Sequence, residues 1–270
     1  MKKFLIGIIP ILFITGCNFN VEENNFDFYE NGTVVYYNPE SNKKCNEDLA
    51  KANINENGTP TGIKTGCMKW YIFNDDANSS TVNMILDHNT TPLVAYNING
   101  EKKIQDVKIA LENDTKTWNN TLNSRLISAD EIATISGNST FNSSRASNSE
   151  WFNLETNTKK EPTSYSGKYS WLFDNLKGQT EADTLDGIIV KTMVEDNNEY
   201  DTYDGLDFGY ITGYWTSSTV ANLSEEFKSI ADSEGAWKIG RTGELGWYYV
   251  KYSNTNGVRP VITVSKNIIK

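Results

Sequence analysis

One histidine and three cysteines are all that this chain of 270 residues contains of the side chains that most often ligate transition metals. His-rich metal centres, Ser-His-Asp hydrolysis and cysteine-rich zinc modules are nearly excluded by that count. Basic residues are also in deficit, 25 Lys and Arg against 35 Asp and Glu, for a net charge of −10. An acidic surface repels phosphate backbones, so nucleic acid is not an expected partner. Gly-x-Ser-x-Gly, a Walker loop and a Gly-x-Gly-x-x-Gly opening a helix are all missing from the sequence. What the chain does have is 38% hydrophobic residues, with 7 Trp and 14 Tyr. That is enough for a sizeable core and excludes wholesale disorder. At roughly 150 residues per domain, the length suits one large domain or two small ones.

The N-terminus reads as an address. Met1-Lys2-Lys3 is a basic start, Phe4 to Ile14 is apolar, and Thr15-Gly16-Cys17 follows. The apolar run is shorter than the about 20 residues needed to cross a bilayer, so residues 1–16 read as a cleavable export signal. Ile14-Thr15-Gly16-Cys17 resembles the bacterial lipobox. That resemblance implies a diacylglycerol-modified Cys17 as the mature N-terminus, on the extracytoplasmic face of the cell membrane. The alternative is an ordinary secretory signal with an incidental cysteine. Residues 17–28 are polar for most of their length, with Glu22, Glu23, Asn24 and Asn25, and read as a short lipidated tether.

With Cys17 lipidated, Cys45 and Cys67 remain. Outside the cytoplasm two cysteines usually pair, and this bridge would contribute about 3 kcal/mol in the chain-entropy model. Two buried free thiols are the other reading.

Pattern places strands at residues 33–37, 67–73 and 82–87, a β-meander after the Asn31-Gly32 turn. Residues 40–66 read as a long loop clipped by the bridge. Ile104, Val107, Leu111, Thr115 and Trp118 fall at helical spacing. Ser128-Ala129-Asp130-Glu131 has the form of a capping box, flanked by Ile127 and Ile132 as a hydrophobic staple, and Gly137 sits where a helix would stop. A short helix is expected over 170–176. Residues 138–168 are rich in Ser, Asn and Thr and read as surface loop. Strands follow at 214–216, 236–239, 247–252 and 258–264, joined by Gly-rich turns at 240–246 and 253–257.

The final strands carry a resemblance. Tyr214-Trp215-Thr216-Ser217-Ser218, Ala236-Trp237 and Gly257-Val258-Arg259-Pro260-Val261 form a set. It looks like the C-type-lectin-like fold of the formylglycine-generating-enzyme type, closest to the bacterial "major paralogous" surface domains. Those carry Tyr-Trp-Ser-Ser-Ser followed by a Val-Arg-Pro-Val-like end. The resemblance implies an α+β chain: short twisted antiparallel sheets with two or more helices, preceded by an N-terminal β-meander. Residues 29–100 would be the β-rich part and 101–270 the lectin-like part, with 29–270 as one domain the alternative. The first hundred residues fit the pattern poorly, and either pair with the chain end or form an added subdomain. Trp215, Trp237 and Arg259 read as scaffold rather than ligand contacts. The oxidase of that fold class binds copper through a late cysteine pair, and this chain has no cysteine after Cys67. Its activity is therefore not carried over.

Two candidate sites remain. Glu195 to Asp207 is acidic, and Asp196, Asp201, Asp204 and Asp207 offer hard oxygen ligands suited to Ca²⁺. Several lectin-like domains hold Ca²⁺ in the long loop before their last strands. A solvated acidic loop is the competing reading, and no other cofactor is expected. In the strand at 247–252, neighbours point to opposite sides. Tyr248, Val250 and Tyr252 are the more apolar set and are assigned inward. Trp247 and Tyr249 are then outward, edged by Asn254 and Asn256, as an aromatic ligand-binding patch. The expected function is non-covalent binding of an extracellular glycan or protein by a lipid-anchored surface protein. An envelope enzyme acting on glycans and a structural lipoprotein without a dedicated ligand are the alternatives.

Overall fold

The computed structural model describes residues 26–51, 62–91, 94–97, 105–138, 140–144, 152–153, 168–173, 213–220, 235–240, 243–250 and 256–269. Their architecture is α+β, with two five-stranded sheets and few helices. The first sheet contains β1 (Val34–Tyr37), β2 (Met68–Phe73), β3 (Thr81–Leu86), β4 (Asn123–Arg125) and β10 (Val261–Ser265). Its order is β1-β2-β3-β10-β4, antiparallel throughout. The expected meander is therefore real, and the last strand of the chain is inserted beside its third. The second sheet contains β5 (Phe152–Asn153), β6 (Gly213–Val220), β7 (Gly235–Gly240), β8 (Glu244–Tyr249) and β9 (Asn256–Gly257). Its order is β5-β8-β7-β6-β9, with β6 and β9 parallel.

Alternation along the first sheet explains its two buried faces. Trp70, Ile72, Met84, Leu86, Ile262 and Val264 point one way and pack with Tyr37 and Trp118. Tyr71, Phe73, Ile85 and Val261 point the other way, against the second sheet and the helix after β4. Along 258–264 every residue but the half-buried Thr263 is buried, and Arg259 is fully enclosed.

Helix α1 (Glu47–Lys51) lies in the loop before Cys67 and escaped the sequence reading, being only 5 residues long. Asn46 starts it by accepting the amide of Leu49 at 3.0 Å. Helix α2 (Gln105–Thr115) buries Val107 and Leu111. Trp118 lies beyond its end and turns away to meet Trp70 edge-on at 5.6 Å. Helix α3 (Ala129–Ile135) has the expected capping box. Ser128 Oγ accepts the Glu131 amide at 3.1 Å, and a Glu131 carboxylate oxygen accepts the Ser128 amide at 2.8 Å. Ile127 and Ile132 are both fully buried in one core. Gly137 follows with φ +77°, the left-handed conformation of a helix stop. The helix expected over 170–176 is, among the described residues, a 3₁₀ turn over Ser170–Leu172.

Cys45 and Cys67 are disulfide-bonded, with Cα atoms 5.3 Å apart. No helix among the described residues is long and apolar enough to cross a membrane.

Candidate functional site

The residues that carried the resemblance converge where the two sheets join. Between Trp215 and Thr219 the pairing of β6 with β7 slips, so Thr216, Ser217 and Ser218 form an irregularity in the ladder. Each group freed there has a task. Thr216 Oγ1 donates to the carbonyl of Trp237 at 2.9 Å. The Ser217 amide donates to the carbonyl of Ile127 at 2.9 Å. Ser218 Oγ accepts the amide of Ala129 at 3.0 Å, satisfying a first-turn donor that α3 cannot satisfy itself. The Trp-Thr-Ser-Ser segment thus docks a helix onto a bulge.

Val258-Arg259-Pro260 ties the same region to the first sheet. Val258 bridges Thr91, and the Pro260 carbonyl accepts the Leu86 amide at 2.9 Å. Arg259 donates Nε to the carbonyl of Leu86, and its two terminal nitrogens to the carbonyls of Leu172 and Trp171. Its guanidinium carbon lies 5.1 Å from the centre of the Tyr214 ring. Burial pushes the Tyr214 hydroxyl up to about 12, and the Arg259 charge acts against that rise. Arg259 therefore binds the end of β3, the 3₁₀ turn and the start of β6 at once.

The segment His88 to Thr91 adds a second polar knot. His88, Asn89 and Thr90 are buried. His88 Nε2 lies 2.7 Å from the carbonyl of Ile63, and since a carbonyl only accepts, Nε2 carries the proton. Nδ1 is buried with no hydrogen-bond partner among the described residues. Burial holds the imidazole below its ordinary pKa. Asn89 Nδ2 donates to the carbonyl of Gly213 at 3.1 Å. Thr90 and Thr91 both donate hydroxyls to Asp114, at 2.8 and 2.6 Å, and Lys64 reaches its other oxygen at 2.9 Å. These groups are engaged in holding segments together, so the chemistry this region supports is positioning.

Tryptophans do the same work elsewhere. Trp70, Trp118, Trp215 and Trp237 donate their indole N–H to the carbonyls of Tyr37, Lys64, Val94 and Ser143. Each large apolar body fills core while its polar edge pins a connecting segment.

The proposed aromatic patch requires correction. Trp247 is 7% exposed and packs in the main core opposite Trp237 in the β7–β8 ladder. Its large apolar area makes burial the stronger demand, overriding the outward assignment drawn from its neighbours. Asn256 is also buried and opens β9, where its carbonyl accepts the Val94 amide at 2.9 Å. Neither residue lies on an outward face. Strand β8 begins at Glu244 and ends at Tyr249, earlier than expected, because the turn before it closes by Gly243, at φ +82°. Tyr248 is half-buried, and the side chain of Tyr249 lies outside the described part, as does Asn254.

Cys17 and the Ca²⁺ candidates Asp196, Asp201, Asp204 and Asp207 also lie outside the described residues. Among the described residues, no group of three or more His, Cys, Asp or Glu could hold a metal ion. Compared with known proteins, the chain matches no family model, no curated protein and no solved structure.

Proposed function

We propose that this chain is a lipid-anchored protein of the cell surface, whose C-type-lectin-like domain binds an extracellular glycan or protein non-covalently. The observation that carries the reading is the meeting of the Trp-Thr-Ser-Ser and Val-Arg-Pro segments at one rigid junction, with β10 closing onto β3 of the N-terminal meander. Such a frame holds connecting segments in fixed relation, and preorganised segments bind at lower entropic cost. The tether and Cys17 supply the attachment.

The test is binding of the full lipidated chain, in detergent micelles, to a glycan array and to intact cells. Saturable binding without product formation is the expected result. Release of shortened glycans would favour an envelope enzyme instead. No binding to any glycan or cell would leave a structural lipoprotein as the better reading.

A further inference from the structure

Lys266 follows directly on β10 and is 3% exposed. A buried ammonium must find acceptors for its three protons. Its Nζ donates to the carbonyl of Asp27 at 2.9 Å and the carbonyl of Asp76 at 2.8 Å, and forms an ion pair with the Asp75 carboxylate at 2.9 Å. The second oxygen of Asp75 accepts the amide of Tyr29 at 2.8 Å. Asp27 and Tyr29 lie where the N-terminal segment enters the domain, so one buried ion pair grips the entering chain by two main-chain groups.

Strand direction places this grip. Ser265 pairs with Thr81, and the Lys266 amide donates to the carbonyl of Ser80 at 2.9 Å, so the ion pair sits where β3 begins and β10 ends. Val261 pairs with Ile85 at the other end of the same two strands. Arg259 and the His88–Thr91 segment, which tie the first sheet to the second, lie beyond that far end. About five residues at roughly 3.4 Å each separate the two ends. Two large apolar side chains are exposed beside the grip, Phe28 at 62% and Ile268 at 42%.

We infer that Lys266 and Asp75 form a clasp fixing where the tether leaves the domain, so that the end bearing Phe28 and Ile268 rests against the lipid surface and the Arg259 junction points away from it. This rests on the lipid-anchor reading of Cys17. The nine residues between Cys17 and Asp27 reach at most about 35 Å when fully extended. The leash limits how far the gripped end can stand from the bilayer, and the exposed Phe28 and Ile268 turn that end toward it. Phe28 and Ile268 meet the interface there, and the exposed Asp27 and Asp76 stay hydrated.

The test uses the full lipidated chain in phosphatidylcholine vesicles. Hydrogen exchange at the Tyr29 amide reports the clasp, and the Leu86 amide reports the sheet. In Lys266→Met, Tyr29 should exchange at least tenfold faster while Leu86 is unchanged; Asp75→Asn, closer in shape, should act in the same direction. Energy transfer to a lipid-borne acceptor should be stronger from a dye at Asn78→Cys than at Lys43→Cys, and the difference should shrink in Lys266→Met. A protected Tyr29 amide in both variants, or loss of protection at Tyr29 and Leu86 together in both, would overturn the clasp. Equal transfer from both dyes in the otherwise unchanged chain would overturn the orientation. Failure of the chain to float with vesicles would sink the anchor and the orientation, and exchange in Cys17→Ala would still decide the clasp.

Discussion

Arg259 holds three main-chain carbonyls and a tyrosine face from a fully buried position. Arg259→Met fills the volume but leaves those carbonyls without donors, and should cost about 3–5 kcal/mol in chemical denaturation. Arg259→Lys should restore only part, because one ammonium cannot span three acceptors in a planar fork. His88 gives a pH signature. Burial first, then the Arg259 charge, lowers its pKa, while the Ile63 carbonyl and Asp87 oppose that. The folded chain therefore keeps His88 neutral where the unfolded chain already binds a proton, so stability is full above about pH 6.5 and falls as the pH drops below it. The melting temperature should decline between pH 7 and 5, and His88→Gln, which can still donate to Ile63, should flatten that decline. An unchanged slope would mean the imidazole is not responsible. Trp247→Ala, in the core position the structure gives it, should cost about 3–5 kcal/mol in thermal or urea unfolding.

At the scale of elements, α3 shows how local signals and tertiary ones combine. Its capping box and its stop at Gly137 were legible, because each uses residues within one turn of the helix end. Arg125 reinforces Glu131 through two contacts, at 2.8 and 2.7 Å. Burial raises the Glu131 pKa, but hydrogen bonds from Arg125 and Ser128 and the Arg125 charge outweigh it, leaving it lowered. The stability this gives is present above the ordinary carboxylate value of 4.5 and is lost as the pH falls through the depressed one. Ser128→Ala should cost about 1 kcal/mol, read from denaturant midpoints. Strand β4 and helix α1 were missed because three and five residues carry too little periodicity to detect. The Cys45–Cys67 bridge holds α1 near the start of β2. Replacing both cysteines by serine should cost about 3 kcal/mol and make the segment before Cys67 the first to be cut by protease.

For the whole molecule, the defining event is closure of the chain end onto the meander. β10 reaches between β3 and β4, and Lys266 then grips the entering N-terminal segment. Both ends of the described chain are locked by the same few residues, so loosening either should loosen both. The anchor has its own test: the wild-type chain should partition into the detergent phase and begin at an acylated Cys17, and Cys17→Ala should abolish that partition. A mature N-terminus found elsewhere by mass spectrometry would sink the lipidation reading.

The sequence by itself determined what depends on neighbours along the chain. Alternation gave the meander strands, spacing gave α2, and Asn31-Gly32 gave a turn, with Gly32 at φ +86°. Cysteine arithmetic gave the bridge. Only the tertiary structure decided which partners meet across long separations. A Cβ on Gly32 would lie 2.8 Å from the Trp171 ring, an approach nothing in the Asn-Gly pair announces. The inward turn of Trp247, the enclosure of Arg259 and the burial of His88 are of the same kind. Strand alternation says that neighbours face opposite ways, but which way is inward depends on the layer that packs against them, and that layer is built from distant residues.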